Sequence, residues 1–397
     1  MSLGRHFLQI PGPTNVPDRV LRAMDRPVPD HRGPELPALL GEIVDGLRRI
    51  FQTSRGEIVL FPGSGTGGSE ASILNTLSPG DRVLAFNAGF FSHLYAECAR
   101  RLGMTVDEVD LPWNRGVPAD LIYERLSRDT TRDYRAVLVV HNETSTGVTS
   151  PIAAIRGAMD AAKHPALLLV DVVSALGSID VRFDEWGVDV AVTGSQKGLM
   201  LPPGLAILCV GERAIAAGAR ATSPRYFYDW RPVLEEMRRG YFTYTPATLM
   251  LYGLQEALRM LLDEGLPQVF ARHARLAQAV RRAVNAWGLP IFCDDPSAYS
   301  NSLTAVVVPD GANADAVLRA AERINLSLGA GLGQLKGRAF RIGHLGALGD
   351  LEVLATIGGV EMALRMAGVS VPLGAGLVAV QDSLLNHHIA ATPTTPR

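Results

Sequence analysis

The sequence predicts an α/β fold with a large, mostly parallel sheet, followed by a smaller α+β domain. Hydrophobic runs of strand length alternate with helix-like segments as far as Glu264, and this alternation is typical of βαβ units. The runs are continuously apolar, as expected of parallel strands that helices cover on both faces. After Glu264 a long helical pattern precedes further strand patterns. We therefore predict an N-terminal arm at 1–20, a large domain at 21–264 and a smaller domain at 265–397.

The individual elements follow from the same patterns. The strands predicted in the large domain are EIVLF, VLAF, MTVDEV, RAVLVVH, ALLLVD, VDVAVTG and GLAILCV. Amphipathic segments between them, such as SHLYAECARRLG and IAAIRGAMDAAK, predict helices. In the smaller domain PQVFARHARLAQAVRRAVNAWG predicts a long helix, and SLTAVVV and FRIGHLG predict strands.

The composition narrows the classes of function that the protein can have. A chain of 397 residues that is 47% hydrophobic and 20% charged is an ordinary globular protein. Its net charge of -2 provides no basic surface for nucleic acid or an anionic membrane. The three cysteines, Cys98, Cys209 and Cys293, are far apart, which argues against a disulfide framework or a zinc site. Without an apolar leader or a bilayer-length apolar run, we predict a cytoplasmic protein that acts on small molecules.

A glycine-rich turn, PGSGTGG, follows the strand EIVLF and opens a helix. Such a turn offers backbone N–H groups and the Ser64 and Thr66 hydroxyls to an anion at the helix N-terminus, and phosphate is the natural guest. A turn that merely connects strand to helix is the alternative. The glycines also satisfy GxGxxG, but a dinucleotide site needs an acidic residue after the next strand, where Asn87 stands.

Two further strand ends carry ionisable residues. Asp171 ends ALLLVD, and Lys197 follows VDVAVTG in the segment GSQKG. A carboxylate at the end of a buried strand needs a cation, and the pyridinium nitrogen of pyridoxal phosphate would supply one. Beside low-dielectric strand ends the neutral form of a lysine amine is favoured, because desolvation disfavours the charged form. A Schiff-base nucleophile must be neutral. Taken singly, Asp171 could be a helix cap and Lys197 a surface residue. Together with the glycine-rich turn PGSGTGG, here called the anion loop, they favour a phosphate-bearing cofactor.

Over nearly its whole length the sequence resembles the class V, fold-type I aminotransferases that use pyridoxal phosphate. The resemblance is strongest to the serine-, alanine- and aspartate-glyoxylate group. Its motifs are PGPTNVP, FPGSGTGG, HNETSTGV, LLLVDVVSALGS, VTGSQKGLMLPPGLA, YTPATLMLYGL and FRIGHLG. The resemblance implies a seven-stranded large domain that binds pyridoxal 5'-phosphate.

The same resemblance implies residue roles at the cofactor. Lys197 would form the Schiff base, and Asp171 would pair with the pyridine nitrogen. The phosphate would be bound by Ser64, Gly65, Thr66 and Gln196.

Three further residues would surround the cofactor ring. Phe91 would stack on the ring, at a position where several relatives use tryptophan. Val173 would pack on the opposite face, and Thr144 would approach the ring hydroxyl.

Outside the cofactor, Arg341 of FRIG resembles the family arginine that binds the substrate carboxylate, which a guanidinium matches in shape and charge. The alternative for Arg341 is a salt bridge at a strand edge. Thr245 of YTPAT resembles the residue that reaches the phosphate of the neighbouring subunit, so a homodimer is implied, and Tyr244 would assist. His31 and Arg32 either touch substrate or lie in a solvated loop.

The function expected from these residues is transamination to glyoxylate, with serine as the favoured donor and aspartate or alanine as alternatives. The products would be glycine and a 2-oxo acid. A nicotinamide-dependent oxidoreductase is the rival chemistry, from the GxGxxG pattern. A cysteine desulfurase is the rival within the same superfamily, although Cys293 lacks surroundings that would lower a thiol pKa.

Overall fold

The computed structural model describes residues 4–391. Its strands are β1 (Phe7–Gln9), β2 (Glu57–Pro62), β3 (Arg82–Asn87), β4 (Thr105–Asp110), β5 (Tyr134–Val140), β6 (Asn142–Glu143), β7 (Val148–Thr149), β8 (Leu167–Asp171), β9 (Val190–Gly194), β10 (Leu205–Val210), β11 (Leu303–Val307), β12 (Leu326–Ala330) and β13 (Ala339–Gly343). Its α-helices are α1 (Asp18–Met24), α2 (Leu36–Phe51), α3 (Gly65–Thr76), α4 (Phe90–Arg101), α5 (Ala119–Arg128), α6 (Ile152–Ala161), α7 (Glu212–Gly218), α8 (Trp230–Arg238), α9 (Thr248–Glu264), α10 (Leu266–Ala286), α11 (Ala314–Glu322), α12 (Asp350–Met366) and α13 (Ala375–Ala391).

The larger sheet has seven strands in the order β2-β10-β9-β8-β5-β3-β4. Strands β3, β4, β5, β8 and β9 pair in parallel, whereas β10 is antiparallel to both of its neighbours. The connection from β9 to β10 holds no helix, and a parallel crossover needs a longer connection. The predicted α/β fold with a mostly parallel seven-stranded sheet is confirmed.

Six of the seven strands of the larger sheet have buried, apolar interiors because both faces are covered, whereas the edge strand β4, with the sequence TVDEVD, has no fully buried residue. All residues of β9 and β10 are buried, and so are the first four residues of β8. Asp171, the last residue of β8, is the one residue of that strand that is not fully buried. The carboxyl ends of the parallel strands therefore open at one edge, where an α/β sheet keeps its ligands.

The smaller sheet has the order β1-β12-β13-β11. Its first strand comes from the N-terminal segment and pairs in parallel with β12, while β11 and β13 are antiparallel. Strands β11 and β13 correspond to the predicted SLTAVVV and FRIGHLG, whereas β12 was not predicted. Helices α9 and α10 meet at Gly265, and the division of the chain into domains at that point stays a prediction.

The N-terminal segment also reaches the larger sheet. After β1 the chain crosses to the end of β9, where the Thr14 N–H donates to the Gln196 carbonyl at 3.1 Å and the Thr14 hydroxyl donates to the Lys197 carbonyl at 3.2 Å. One short segment thus contacts both sheets beside the predicted Schiff-base lysine. Within residues 4–391, no helix is both long and apolar enough to cross a membrane.

Candidate active site

A cavity of about 280 Å³ lies at the carboxyl ends of the larger sheet's strands. Nine of the residues predicted for cofactor binding line it: Ser64, Gly65, Thr66, Phe91, Thr144, Asp171, Val173, Gln196 and Lys197. Residues that the sequence interpretation did not assign complete the wall, among them Gly12, Pro13, Tyr95, Cys98 and Asn142. Residues from six separate segments of the chain therefore converge on one cavity.

Lys197 lies in the turn after β9, with only 8% of its surface exposed. Its Nζ donates a hydrogen bond to the carbonyl of Pro11. Burial lowers the pKa of Lys197 to about 8, and the positive charge of Arg341 acts in the same direction, whereas Asp171 and Glu143 oppose the shift. A lowered pKa makes the neutral amine accessible near neutral pH, as attack on a carbonyl carbon requires.

Asp171 ends β8, and its Oδ1 accepts a hydrogen bond from the Val173 N–H at 2.7 Å. Burial raises the pKa of Asp171 to about 7. The negative charge of Glu143 adds to this shift, while the Val173 N–H and the Lys197 charge oppose it. A carboxyl group in such a place is stabilised as an anion when a cation lies against it, which is what a protonated pyridine nitrogen would provide.

The anion loop lies at the N-terminus of α3. Ser64 is the N-cap residue, and its hydroxyl accepts a hydrogen bond from the Gly67 N–H at 3.5 Å. The first N–H groups of a helix have no partner inside it and so are available to an anion. A side chain at position 65 would approach Val173 to 2.8 Å, so glycine keeps this loop close to the cavity wall.

Gln196 provides an independent test of whether a phosphate-bearing cofactor fits. Its Oε1 is buried and has no hydrogen-bond partner among the residues that the structure describes. An unpaired buried amide calls for a polar ligand, and a rotation of the amide group would direct its NH₂ toward phosphate oxygens. The amine of Lys197, the carboxyl of Asp171 and the anion loop at Ser64 match the aldehyde, the ring nitrogen and the phosphate of pyridoxal phosphate, so the residues present fit it.

The residues predicted to surround the ring lie on different elements. Phe91 is in the first turn of α4, Val173 follows β8, and Thr144 follows β6. The Thr144 hydroxyl donates to the Ser174 hydroxyl at 2.7 Å, so it already has a partner within the chain.

Arg341 lies on β13 of the smaller sheet and is 7% exposed. Its Nε donates to the Ala330 carbonyl at 2.8 Å, and its Nη1 donates to the Thr144 carbonyl at 2.7 Å. Burial lowers the pKa of Arg341 to about 10, and the charge of Glu143 opposes the shift. Within residues 4–391, Arg341 forms no salt bridge with an acidic side chain, so the structure does not support the strand-edge salt bridge.

The remaining predicted residues lie outside the cavity. The Tyr244 hydroxyl donates to the Leu60 carbonyl of β2, and Thr245 is exposed. Arg32 is also exposed, and its N–H donates to Asp30 at 2.9 Å, while His31 is half-buried. A single chain does not bring these residues to the cofactor cavity.

The cysteines do not supply a reactive thiol. Burial raises the pKa of Cys98 to about 11, and burial also raises the pKa of Cys293, whose Sγ donates to the Asp295 carbonyl at 3.4 Å. Cys293 is outside the cofactor cavity. A desulfurase needs a thiolate at the substrate, so neither residue favours that alternative.

Comparison with known proteins places these observations in a family. The model of the family described as "Aminotransferase class-V" matches residues 6–334. The chain is 48% identical to the L-aspartate–glyoxylate aminotransferase of Paracoccus denitrificans over 94% of both sequences. It is 46% identical to the serine–glyoxylate aminotransferase of Arabidopsis thaliana over 98% of both sequences. The crystal structure of the ureidoglycine–glyoxylate aminotransferase of Bacillus subtilis superposes with a TM-score of 0.90 at 30% identity, covering 97% of this chain and all of the other.

Proposed function

This chain belongs to the class-V aminotransferases, and we propose that it transfers the amino group of serine to glyoxylate, giving glycine and hydroxypyruvate. It is an aminotransferase that uses pyridoxal 5'-phosphate, and its relatives support glyoxylate as the amino acceptor. The choice of serine is our proposal. The family leaves no support for the nicotinamide-dependent alternative.

The observation that carries the proposal is the convergence of Lys197, Asp171 and the anion loop at Ser64 on one cavity. We propose that Lys197 holds the cofactor and Asp171 pairs with its ring nitrogen. The phosphate is assigned to Ser64, Gly65, Thr66 and Gln196. Phe91 and Val173 are assigned to the two ring faces, and Thr144 to the ring hydroxyl.

Bound pyridoxal phosphate supplies an electron sink that acidifies the substrate Cα–H bond. In the mechanism we propose, the neutral amine of Lys197 accepts that proton and later returns it as a general acid. Burial lowers the pKa of Lys197 to about 8, so that a fraction of the amine is neutral near neutral pH and can accept the proton. Arg341 orients the substrate carboxylate, which amino acids and glyoxylate share. It lies beside the cavity, because its Nη1 donates to the carbonyl of Thr144, a lining residue.

The polarity of the cavity supports serine over aspartate. Among the described lining residues Lys197 is the only side-chain cation, and Arg341 is assigned to the α-carboxylate. A second substrate carboxylate would need a further cation, since burial of an unpaired charge is costly. Asn142 also lines the cavity, and its Oδ1 is buried with no hydrogen-bond partner among the described residues, so it can accept a hydrogen bond from a serine hydroxyl.

We further propose a homodimer in which Thr245 of one subunit reaches the phosphate at the other subunit's site. Exposure of Thr245 at the surface of the single chain supports this assignment. A cytoplasmic location stays a prediction from the sequence.

A donor panel tests the function. Serine, alanine and aspartate are each offered with glyoxylate at matched concentrations, and glycine formation is measured together with the 2-oxo acid. We expect the highest kcat/KM with serine. A higher value with aspartate would contradict the donor assignment, and the absence of glycine with all three donors would contradict glyoxylate as acceptor.

The Lys336→Ala variant, which removes an exposed lysine outside the cavity, serves as the matched control for Lys197 variants.

A further inference from the structure

Glu143, in the segment HNETSTG, is a buried carboxylate at the edge of the candidate active site, with 4% of its surface exposed. Its Oε1 accepts hydrogen bonds from the Phe91 N–H at 3.3 Å and the Ser145 N–H at 3.0 Å. The Ser145 hydroxyl donates to the same oxygen at 2.6 Å, and the Ser92 N–H donates to Oε2 at 2.9 Å. Four donors therefore converge on one side chain.

These contacts cap the N-terminus of α4. The first N–H groups of the helix bind side chains of another segment, since Phe91 and Ser92 bind Glu143 and the Phe90 N–H donates to the Ser145 hydroxyl at 3.0 Å. A negative charge is stabilised at this end of a helix. A side chain at Gly89 would lie 2.2 Å from Glu143, so glycine leaves room for the carboxylate.

The segment of Glu143 also touches the other side of the site. Thr144, the next residue, accepts the hydrogen bond from Arg341 through its carbonyl. Glu143 thus stands between the ring-stacking residue assigned on α4 and the arginine assigned to the substrate carboxylate.

The charge of Glu143 acts on three groups of the site. It raises the pKa values of Lys197, Asp171 and Arg341, in each case alongside the larger effect of burial. Arg115 also lines a small cavity with Glu143, but it is exposed and forms a salt bridge with Asp294 at 3.1 Å. The carboxylate therefore lies among the ionisable groups assigned to the reaction.

We propose that Glu143 is a positioning residue, which fixes Phe91 against the cofactor and Arg341 against the substrate by joining α4 to the Thr144 loop. This inference rests on the proposed function for the roles of Phe91 and Arg341. A carboxylate suits the role because both of its oxygens accept hydrogen bonds, whereas an amide offers one acceptor oxygen and an NH₂ group that only donates.

The test compares Glu143→Gln with Glu361→Gln in the holoenzyme. Glu361 is a matched control, because it is also a buried carboxylate that accepts N–H groups, from Trp287 at 2.9 Å and from Gly374 and Gly376. It lies on α12, its partner Trp287 belongs to the hydrophobic cluster beside the smaller sheet, and it does not line the cofactor cavity. The readouts are the dissociation constant of pyridoxal phosphate and the pH midpoint of the bound cofactor's absorbance change.

For Glu143→Gln we expect the dissociation constant to rise about tenfold, the equivalent of one or two lost hydrogen bonds. The pH midpoint should move down by about half a unit or more. The substitution removes a negative charge that favours protonation of the nitrogen through which Lys197 holds the cofactor. Glu361→Gln should leave both readouts at their wild-type values while it lowers the melting temperature. Glu143→Asp, which keeps the charge with a shorter reach, should restore the midpoint but not the full affinity.

Wild-type affinity and midpoint in Glu143→Gln would overturn the inference, as would equal changes in Glu361→Gln. Where Glu143→Gln gives no folded protein, Ser145→Ala carries the test, since it removes two contacts of the same junction and leaves the charge. We expect it to weaken cofactor binding with an unchanged midpoint, and wild-type affinity there would overturn the inference. Neither readout needs glyoxylate, so a failure of the donor panel is distinguishable from a failure here.

Discussion

Arg341 of the smaller sheet donates a hydrogen bond from Nη1 to the carbonyl of Thr144, a residue of the cofactor cavity wall, at 2.7 Å. This contact holds a buried guanidinium at the edge of the cavity. It uses one of the five N–H donors of the guanidinium, and the contact with Ala330 uses another. A cation held in this way is already desolvated, so a substrate carboxylate gains from meeting it.

Arg341→Ala should raise KM strongly for both the amino acid and glyoxylate, because each presents the same carboxylate. The loss corresponds to about 2–5 kcal/mol in kcat/KM, as for a buried charge pair that loses one partner. Binding of pyridoxal phosphate should survive. Steady-state kinetics with each substrate varied in turn measures the effect.

Arg338→Ala is the control, since Arg338 precedes the same strand and is exposed. Its KM values should match those of the wild type. Unchanged KM values in Arg341→Ala would show that another cation binds the carboxylate.

Asp171 gives a pH-dependent prediction for the cofactor-free protein. Its folded-state pKa of about 7 lies above the ordinary value of 3.8, so between these values the folded chain holds a proton that the unfolded chain has lost. Stability supplied by this group therefore falls as the pH rises through that window. Relative to Asp171→Asn, the wild type should lose melting temperature between pH 5 and pH 8.

Adding pyridoxal phosphate should reverse the order at pH 8, because the cationic ring nitrogen stabilises the ionised carboxylate of the wild type. Differential scanning calorimetry with and without cofactor measures both effects. Parallel curves for the two proteins at all pH values would contradict the assignment of Asp171.

Much of the fold was predictable because most of its strands appear in the sequence as local runs of apolar residues. Strands buried on both faces read as unbroken apolar runs, and six of the seven predicted strands of the larger sheet are of this kind. The seventh, β4, is its partly exposed edge strand. The position of β10 between β2 and β9 was not predictable, since it depends on pairing between distant segments. Strand β12, with the sequence LSLGA, is short and ends in small residues, so its pattern is too weak to stand out.

The candidate site likewise has residues that the sequence predicts and residues that only the tertiary structure reveals. Lys197 and Asp171 were predictable because an ionisable residue at the end of a buried apolar strand is costly unless a partner or a ligand compensates for it. Glu143 carried no such signal, because its burial arises only when α4 brings its N-terminus to another segment. The contact of Gly12 with Lys197 is likewise tertiary: a side chain at Gly12, whose φ is +106°, would lie 2.4 Å from the lysine.

Thr245→Ala tests the proposed dimer. If Thr245 reaches the phosphate at the neighbouring site, its loss should raise the dissociation constant of pyridoxal phosphate by about tenfold to a hundredfold, as for one hydrogen bond to a charged group. Thr243→Ala, two residues away and equally exposed, is the control and should bind normally. Light scattering should give a dimer for all three proteins. A monomeric wild type, or equal affinities in the two variants, would contradict the shared site.

The central claim is that the Lys197 amine holds the cofactor and moves the proton. Lys197→Ala keeps the anion loop, Asp171 and Phe91, so it should stay folded and bind pyridoxal phosphate without a covalent bond. Turnover should fall by at least ~10²–10⁴-fold, the range for loss of a general acid–base group. Lys336→Ala should behave as the wild type.

Borohydride reduction followed by peptide mass spectrometry is the most direct measurement of this claim. We expect the wild type and Lys336→Ala to carry the reduced cofactor on the peptide that contains Lys197, and Lys197→Ala to carry none. Attachment at Lys163 or Lys336, the other two lysines of the chain, together with near-normal turnover in Lys197→Ala, would contradict it.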